Sequence, residues 1–107
     1  MAIDPSQIRL DGRVAVVTGA GSGIGRGIAS GLKAFGAEVA IWERTEETGA
    51  AAAAEIGALG LTVDVRESEQ VDDALARTET ELGTVTILVN NAGGVFHSPL
   101  LETSENG

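Results

Sequence analysis

The sequence predicts a doubly wound α/β fold built on a parallel sheet, and three observations lead there. Short apolar runs at residues 14–17, 39–42, 61–65 and 85–89 alternate with segments of helical periodicity. The connections between them are short, which makes successive strands parallel with right-handed crossovers. The glycine string Gly19, Gly21, Gly23 and Gly25 separates the first apolar run from the first helical pattern, as a strand-turn-helix unit requires.

Each element follows in order. Val14-Ala15-Val16-Val17 reads as a buried strand, and Ile24, Ile28, Leu32 and Phe35 then recur at spacings that predict one buried stripe on a helix, which Gly36 ends. Val39-Ala40-Ile41-Trp42 is the second strand and closes on Glu43. Trp42 reads either as a packing residue or as a shelf beside a bound group. Thr45 is placed to cap a second helix, with Glu46 and Glu47 in its first turn and the alanines of 50–54 continuing it. After Gly60 the run Leu61-Thr62-Val63-Asp64-Val65 predicts a short third strand. A third helix from about Ser68 carries Val71, Leu75, Thr78 and Leu82 on one face and stops at Gly83. Val85-Thr86-Ile87-Leu88-Val89 is the fourth strand. Its apolar run is of the kind buried on both faces, so it is expected to lie inside the sheet of the functional molecule. Residues 1–8 read as a loose N-terminal arm, and Thr103 as the cap of another helix.

The glycine string carries the chemistry. At a sharp turn, glycine lets the backbone approach a ligand that a Cβ would push away, and the free amides at the start of the next helix face an anion. The string in this setting predicts a pyrophosphate-bearing dinucleotide. About twenty residues on, where the dinucleotide fingerprint expects an acidic group, stands Glu43. Its carboxylate suits the hydroxyls of an adenosine ribose and repels a 2′-phosphate, which favours NAD over NADP. Arg44 argues the other way, because a guanidinium there can pair with a 2′-phosphate.

Thr18-Gly19-Ala20-Gly21-Ser22-Gly23-Ile24-Gly25, the pair Asp64-Val65 and the segment Asn90-Asn91-Ala92-Gly93 together resemble the N-terminal, cofactor-binding part of the short-chain dehydrogenase/reductase family. The motifs stand in that family's order, so the resemblance runs from about Leu10 to the last residue. It implies a Rossmann-type sheet, here its first four strands and their helices. Gly19 and Gly25 would shape the turn, Ser22, Gly23 and Ile24 lie along the pyrophosphate, and Glu43 take the ribose. Asp64 and Val65 would contact adenine, and Asn91, Ala92 and Gly93 line the adenosine and nicotinamide-ribose side. Ser22, where NADP-preferring members often carry arginine, supports NAD. Thr86 stands where the family commonly has aspartate, so a hydrogen bond usual there is expected to be missing.

In the family a tyrosine moves the proton at the substrate oxygen, helped by a lysine and a serine. This chain has no tyrosine, so the resemblance assigns no catalytic residue within residues 1–107, and the segment alone is expected to be inactive. His97 and Ser98 sit in a loop without a third orienting group and make no catalytic pair. Lys33 reads as a solvated charge. The chain is expected to be one C-terminally incomplete domain, completed by the remaining part of the same polypeptide and assembled as a homo-dimer or homo-tetramer.

A formal net charge of −9 disfavours nucleic acid and anionic membrane as partners. Without cysteine there is no disulfide or thiolate metal site, and no apolar run has the length of a membrane span. The expected setting is cytoplasmic. The sequence supports an NAD-dependent oxidoreductase acting on a secondary alcohol or ketone. Its alternative is a non-catalytic dinucleotide-binding module, redox-sensing or interacting, since a fold does not fix a function.

Overall fold

A computed structural model describes residues 9–21 and 23–91. The arm expected at residues 1–8, Ser22, and residues 92–107 with Ala92, Gly93 and the expected cap at Thr103 lie outside the described residues. Strands β1 (Val14–Thr18), β2 (Glu38–Glu43), β3 (Leu59–Thr62) and β4 (Val85–Asn90) alternate with helices α1 (Gly23–Ala34), α2 (Glu46–Ile56) and α3 (Ser68–Leu82). All pairings are parallel and the strand order is β3-β2-β1-β4. The chain therefore builds outward from β1 on one side and returns to its other side with β4, an incomplete Rossmann-like α/β sheet.

Strand periodicity sorts the core into two layers. Ala15, Val17, Val39 and Ile41 face α1 and α2 and meet Ala29, Ala52 and Ala53. Val16, Ala40, Trp42 and Leu61 face α3 and meet Ala74, Val71 and Leu82. Because β1 is buried along its whole length, its last residue delivers the chain to the glycine turn at a fixed position. Helix α1 ends as expected at Gly36: Gly36 N–H donates to Lys33 O (3.0 Å) and Ala37 N–H to Leu32 O (3.1 Å), the paired bonds of a left-handed terminus. Lys33 lies 3.5 Å from Glu38 rather than being a purely solvated charge.

Several sequence expectations shift, each for a physical reason. The buried line of α1 is Gly25, Ala29 and half-buried Leu32, and Ile24 is 76% exposed. The helix lies on the sheet through its smallest residues, which rotates Ile24 outward. On α3 the same slip replaces Leu75, which is 38% exposed, by Ala74. Thr78 keeps its place and is fully buried, because its hydroxyl accepts the Trp42 indole N–H at 3.1 Å. That bond settles Trp42 as a packing residue on the α3 side of the sheet.

Strand β3 begins two residues earlier than expected and ends at Thr62, leaving Asp64 and Val65 beyond it. Gly60 is part of the strand. A Cβ there would lie 2.9 Å from the Ala53 methyl, so the glycine is where α2 rests on the sheet. Thr45 takes the cap position of α2 without a side-chain cap bond. Its N–H is drawn to Glu43 Oε1 (3.4 Å), and its carbonyl accepts Gly49 N–H (3.0 Å) and Thr48 Oγ1 (3.2 Å).

Strand β4 is an edge among the described residues. Ile87 and Val89 pack on the α1–α2 layer, while Leu88, on the face that α3 covers farther along the sheet, is 60% exposed. Thr86 is exposed, and the anchor at this end comes from Glu79 instead, whose Oε2 accepts Val85 N–H at 2.9 Å.

Candidate functional site

The carboxyl ends of β1, β2 and β4 converge on the first turn of α1, the position where open parallel sheets bind ligands. Thr18 closes β1 and is tied to β4: its hydroxyl accepts Asn91 N–H (3.0 Å) and donates toward Asn90 Oδ1 (3.1 Å). Asn91 Nδ2 in turn donates to the Gly19 carbonyl at 3.3 Å. Gly19 N–H reaches across to Trp42 O at 3.0 Å, so the turn is held by both neighbouring strands.

Gly25 completes this lock by having no side chain. A Cβ there would lie 2.5 Å from Gly19 O and 2.6 Å from Asn91 Nδ2. The close approach of α1 to the turn thus requires a hydrogen at that position. Gly19 and Gly23 both take positive φ, at 66° and 64°, and a Cβ on Gly23 would meet nothing within 4 Å. Among the described residues nothing crowds that side of Gly23, and the exposed Ile24 stands beside it. Backbone amides at the start of a helix suit an anion such as a pyrophosphate.

Glu43 stands at the tip of β2, half-buried, with Oε2 accepting Gly21 N–H at 2.9 Å. Arg44 follows it on the surface, close enough to Asp64 for its charge to favour the ionised form there. Asp64 is gripped by Arg66. The guanidinium donates to it through Nε (3.0 Å) and Nη2 (2.9 Å), and Arg66 N–H donates to Oδ1 at 3.0 Å. These bonds hold the Asp64 carboxyl at about 2, below its ordinary 3.8. Asp64 N–H is bound by Gln70 Oε1 at 2.8 Å. Val65 is half-buried against the Trp42 layer.

Of the residues expected at the site, Gly19, Gly23, Ile24, Gly25, Glu43 and Asn91 gather around one turn. Asp64, Val65 and Arg44 line the neighbouring strand ends. Sequence reasoning singles out neither Thr18 as the link between β1 and β4 nor Arg66 as the partner of Asp64. The spacing of two between Asp64 and Arg66 fits a local side-chain-to-backbone turn and is the signal that could have found the second.

The sequence matches the family model for short chain dehydrogenase over residues 13–106. The chain belongs to the short-chain dehydrogenase family. It is 39% identical over 97 residues to sorbitol dehydrogenase of Cereibacter sphaeroides, covering 89% of this chain and 38% of that one. It is 40% identical over 103 residues to 2-dehydro-3-deoxy-D-gluconate 5-dehydrogenase of Escherichia coli, covering 94% and 41%. A solved hydroxysteroid dehydrogenase from Escherichia coli superposes with a TM-score of 0.79 at 32% identity, over 94% of this chain and 44% of that one. The chain spans about two fifths of the length of these curated dehydrogenase relatives.

Proposed function

We propose that the full-length protein is a cytoplasmic NAD-dependent oxidoreductase of the short-chain dehydrogenase type that interconverts a secondary alcohol and a ketone. The observation that carries this reading is the Glu43 carboxylate set against the glycine turn, Oε2 accepting Gly21 N–H at 2.9 Å and Oε1 approached by Thr45 N–H at 3.4 Å. When bound, the nicotinamide would supply the hydride acceptor or donor. The chain's own part is to hold that cofactor. The turn amides and the exposed face of Gly23 and Ile24 receive the pyrophosphate, Glu43 accepts ribose hydroxyls, and Asn91 keeps the turn in place from β4. Relatives named for sorbitol and for a dehydro-deoxy-gluconate support a secondary alcohol or its ketone as the substrate class. Proton transfer at the substrate belongs to residues beyond these, supplied by the remaining part of the polypeptide in a homo-dimer or homo-tetramer.

The test is titration of the full-length protein with NAD and NADP, followed by a search for NAD reduction with secondary alcohols. A hydrogen bond to a charged group contributes about 1.5–3 kcal/mol, so replacing Glu43 should weaken NAD binding by roughly 10- to 150-fold. Tighter binding of NADP would hand the site to Arg44. Tight NAD binding without turnover on any alcohol or ketone would favour the non-catalytic module.

A further inference from the structure

We infer that Gly21 is a positioning residue that sets the cofactor preference by aiming the Glu43 carboxylate; the inference rests on the reading of Glu43 as the ribose acceptor. Gly21 N–H donates to Glu43 Oε2 at 2.9 Å. Thr45 N–H approaches the other oxygen, Oε1, at 3.4 Å. Below the carboxylate, Gly49 accepts the stem: a Cβ on Gly49 would lie 2.8 Å from Glu43 Cβ. The side chain is thus fixed at its root by packing and held at its tip by the Gly21 amide, with the Thr45 amide near its other oxygen.

The space at Gly21 shows what this arrangement demands. A Cβ there would fall 2.6 Å from Glu43 Oε2 and 2.8 Å from Thr48 Oγ1, both distances shorter than real contacts allow. Any residue larger than glycine must move the carboxylate away from its amide. The φ of Gly21 lies outside the left-handed region, so alanine is acceptable to the backbone and acts only through this crowding. The two obstructing atoms are also the free ends of side chains. They can swing aside without disturbing the sheet, and the variant should fold.

A swung carboxylate serves the ribose poorly and repels a 2′-phosphate less. Glycine at position 21 thereby contributes to NAD preference without touching the nicotinamide or the reacting atoms. The general physical basis is preorganisation: an acceptor already held in its bound orientation loses less freedom when the ligand arrives.

The experiment is calorimetric titration of the full-length protein with NAD and with NADP for the wild type, Gly21→Ala, Glu43→Ala and the double variant, reading the ratio of the two dissociation constants. Gly21→Ala is expected to reduce the NAD preference by roughly tenfold, the share of one charge-assisted bond. Added to Glu43→Ala, it should change the ratio no further. In the ligand-free protein, Glu43→Ala should move the Gly21 amide proton resonance upfield as its acceptor is lost. A wild-type ratio in Gly21→Ala together with a lost preference in Glu43→Ala would overturn the role of Gly21 and leave the ribose reading standing. An equal effect of Gly21→Ala in both backgrounds, or an unmoved Gly21 resonance, would overturn it as well. If Glu43→Ala keeps the wild-type ratio, both the inference and the ribose reading fall.

Discussion

Gly25→Ala offers the sharpest test of how the glycine turn is held. Alanine is the better helix former, and at an ordinary helix position the change would stabilise by about 0.5–1 kcal/mol. Gly27, two residues on in α1, is such a position, with nothing within 4 Å of the place a Cβ would take. At Gly25 the same methyl would sit 2.5 Å from a backbone carbonyl, 2.6 Å from Asn91 Nδ2 and 3.1 Å from Ala20 Cα. Two of these three neighbours are main chain and cannot swing away, so overpacking of about 1–3 kcal/mol is expected. Loss of the Asn91 to Gly19 hydrogen bond adds about 0.5–1.5 kcal/mol. Set against the propensity gain, the net effect is destabilisation by about 0.5–4 kcal/mol. Gly27→Ala should be neutral or stabilising. Urea denaturation of both full-length variants, fitted for midpoint and slope, measures the difference directly, and NAD titration shows whether the turn has opened. Equal stability of the two variants would refute the close-approach argument for Gly25.

Three further outcomes are expected. The Arg66 bonds keep Asp64 ionised in the folded state down to about pH 2, against 3.8 ordinarily, so its stabilising contribution is present above about 3.8 and lost as pH falls through 2; carboxyl NMR should show this, and Arg66→Ala should return the midpoint toward 3.8. Thr78→Val leaves the buried Trp42 indole N–H without its acceptor and should cost about 1–3 kcal/mol in urea unfolding followed by Trp42 emission; a wild-type midpoint would show the bond to be dispensable. Residues 1–107 prepared alone should reduce no NAD with any secondary alcohol, since a general acid–base group typically contributes 10²–10⁴-fold and the family's tyrosine is not among them; turnover at ordinary enzymatic rates would contradict this.

The order of elements was legible in the sequence because apolar runs and glycines mark strand ends plainly. Glu43 is marked in the sequence by its distance from the glycine string, and Asn91 only by the resemblance of Asn90-Asn91-Ala92-Gly93 to the family's segment. What escaped was rotation and register. Hydrophobic periodicity finds the large apolar residues of a helix, yet α1 meets the sheet through Gly25 and Ala29, which carry little apolar signal. Ile24 therefore reads as buried and stands in solvent. The same blindness brings Leu75 inward in place of Ala74, and makes a boundary of Gly60, which is a strand residue. The partners that brace the turn were hidden for a different reason. Thr18 and Asn91 meet across 73 positions of sequence, and no local pattern announces such a contact.

That separation bears on when the glycine turn takes its final shape. The glycine turn is encoded near the start of the chain, and β2 can pair with β1 as soon as α1 is made. The turn's remaining tether, Asn91 to Gly19, spans 72 positions, and β1 pairs with β4 only after two further helices have been synthesised. Closing a loop of that length is slow relative to helix formation, and such distant pairings dominate folding time. On the ribosome, β1 would therefore wait with one flank bare while α2, β3 and α3 emerge. The glycine turn, written early, would acquire that shape among the last events in the folding of these four strands. A cofactor present during synthesis would find only a partly braced turn until β4 arrives.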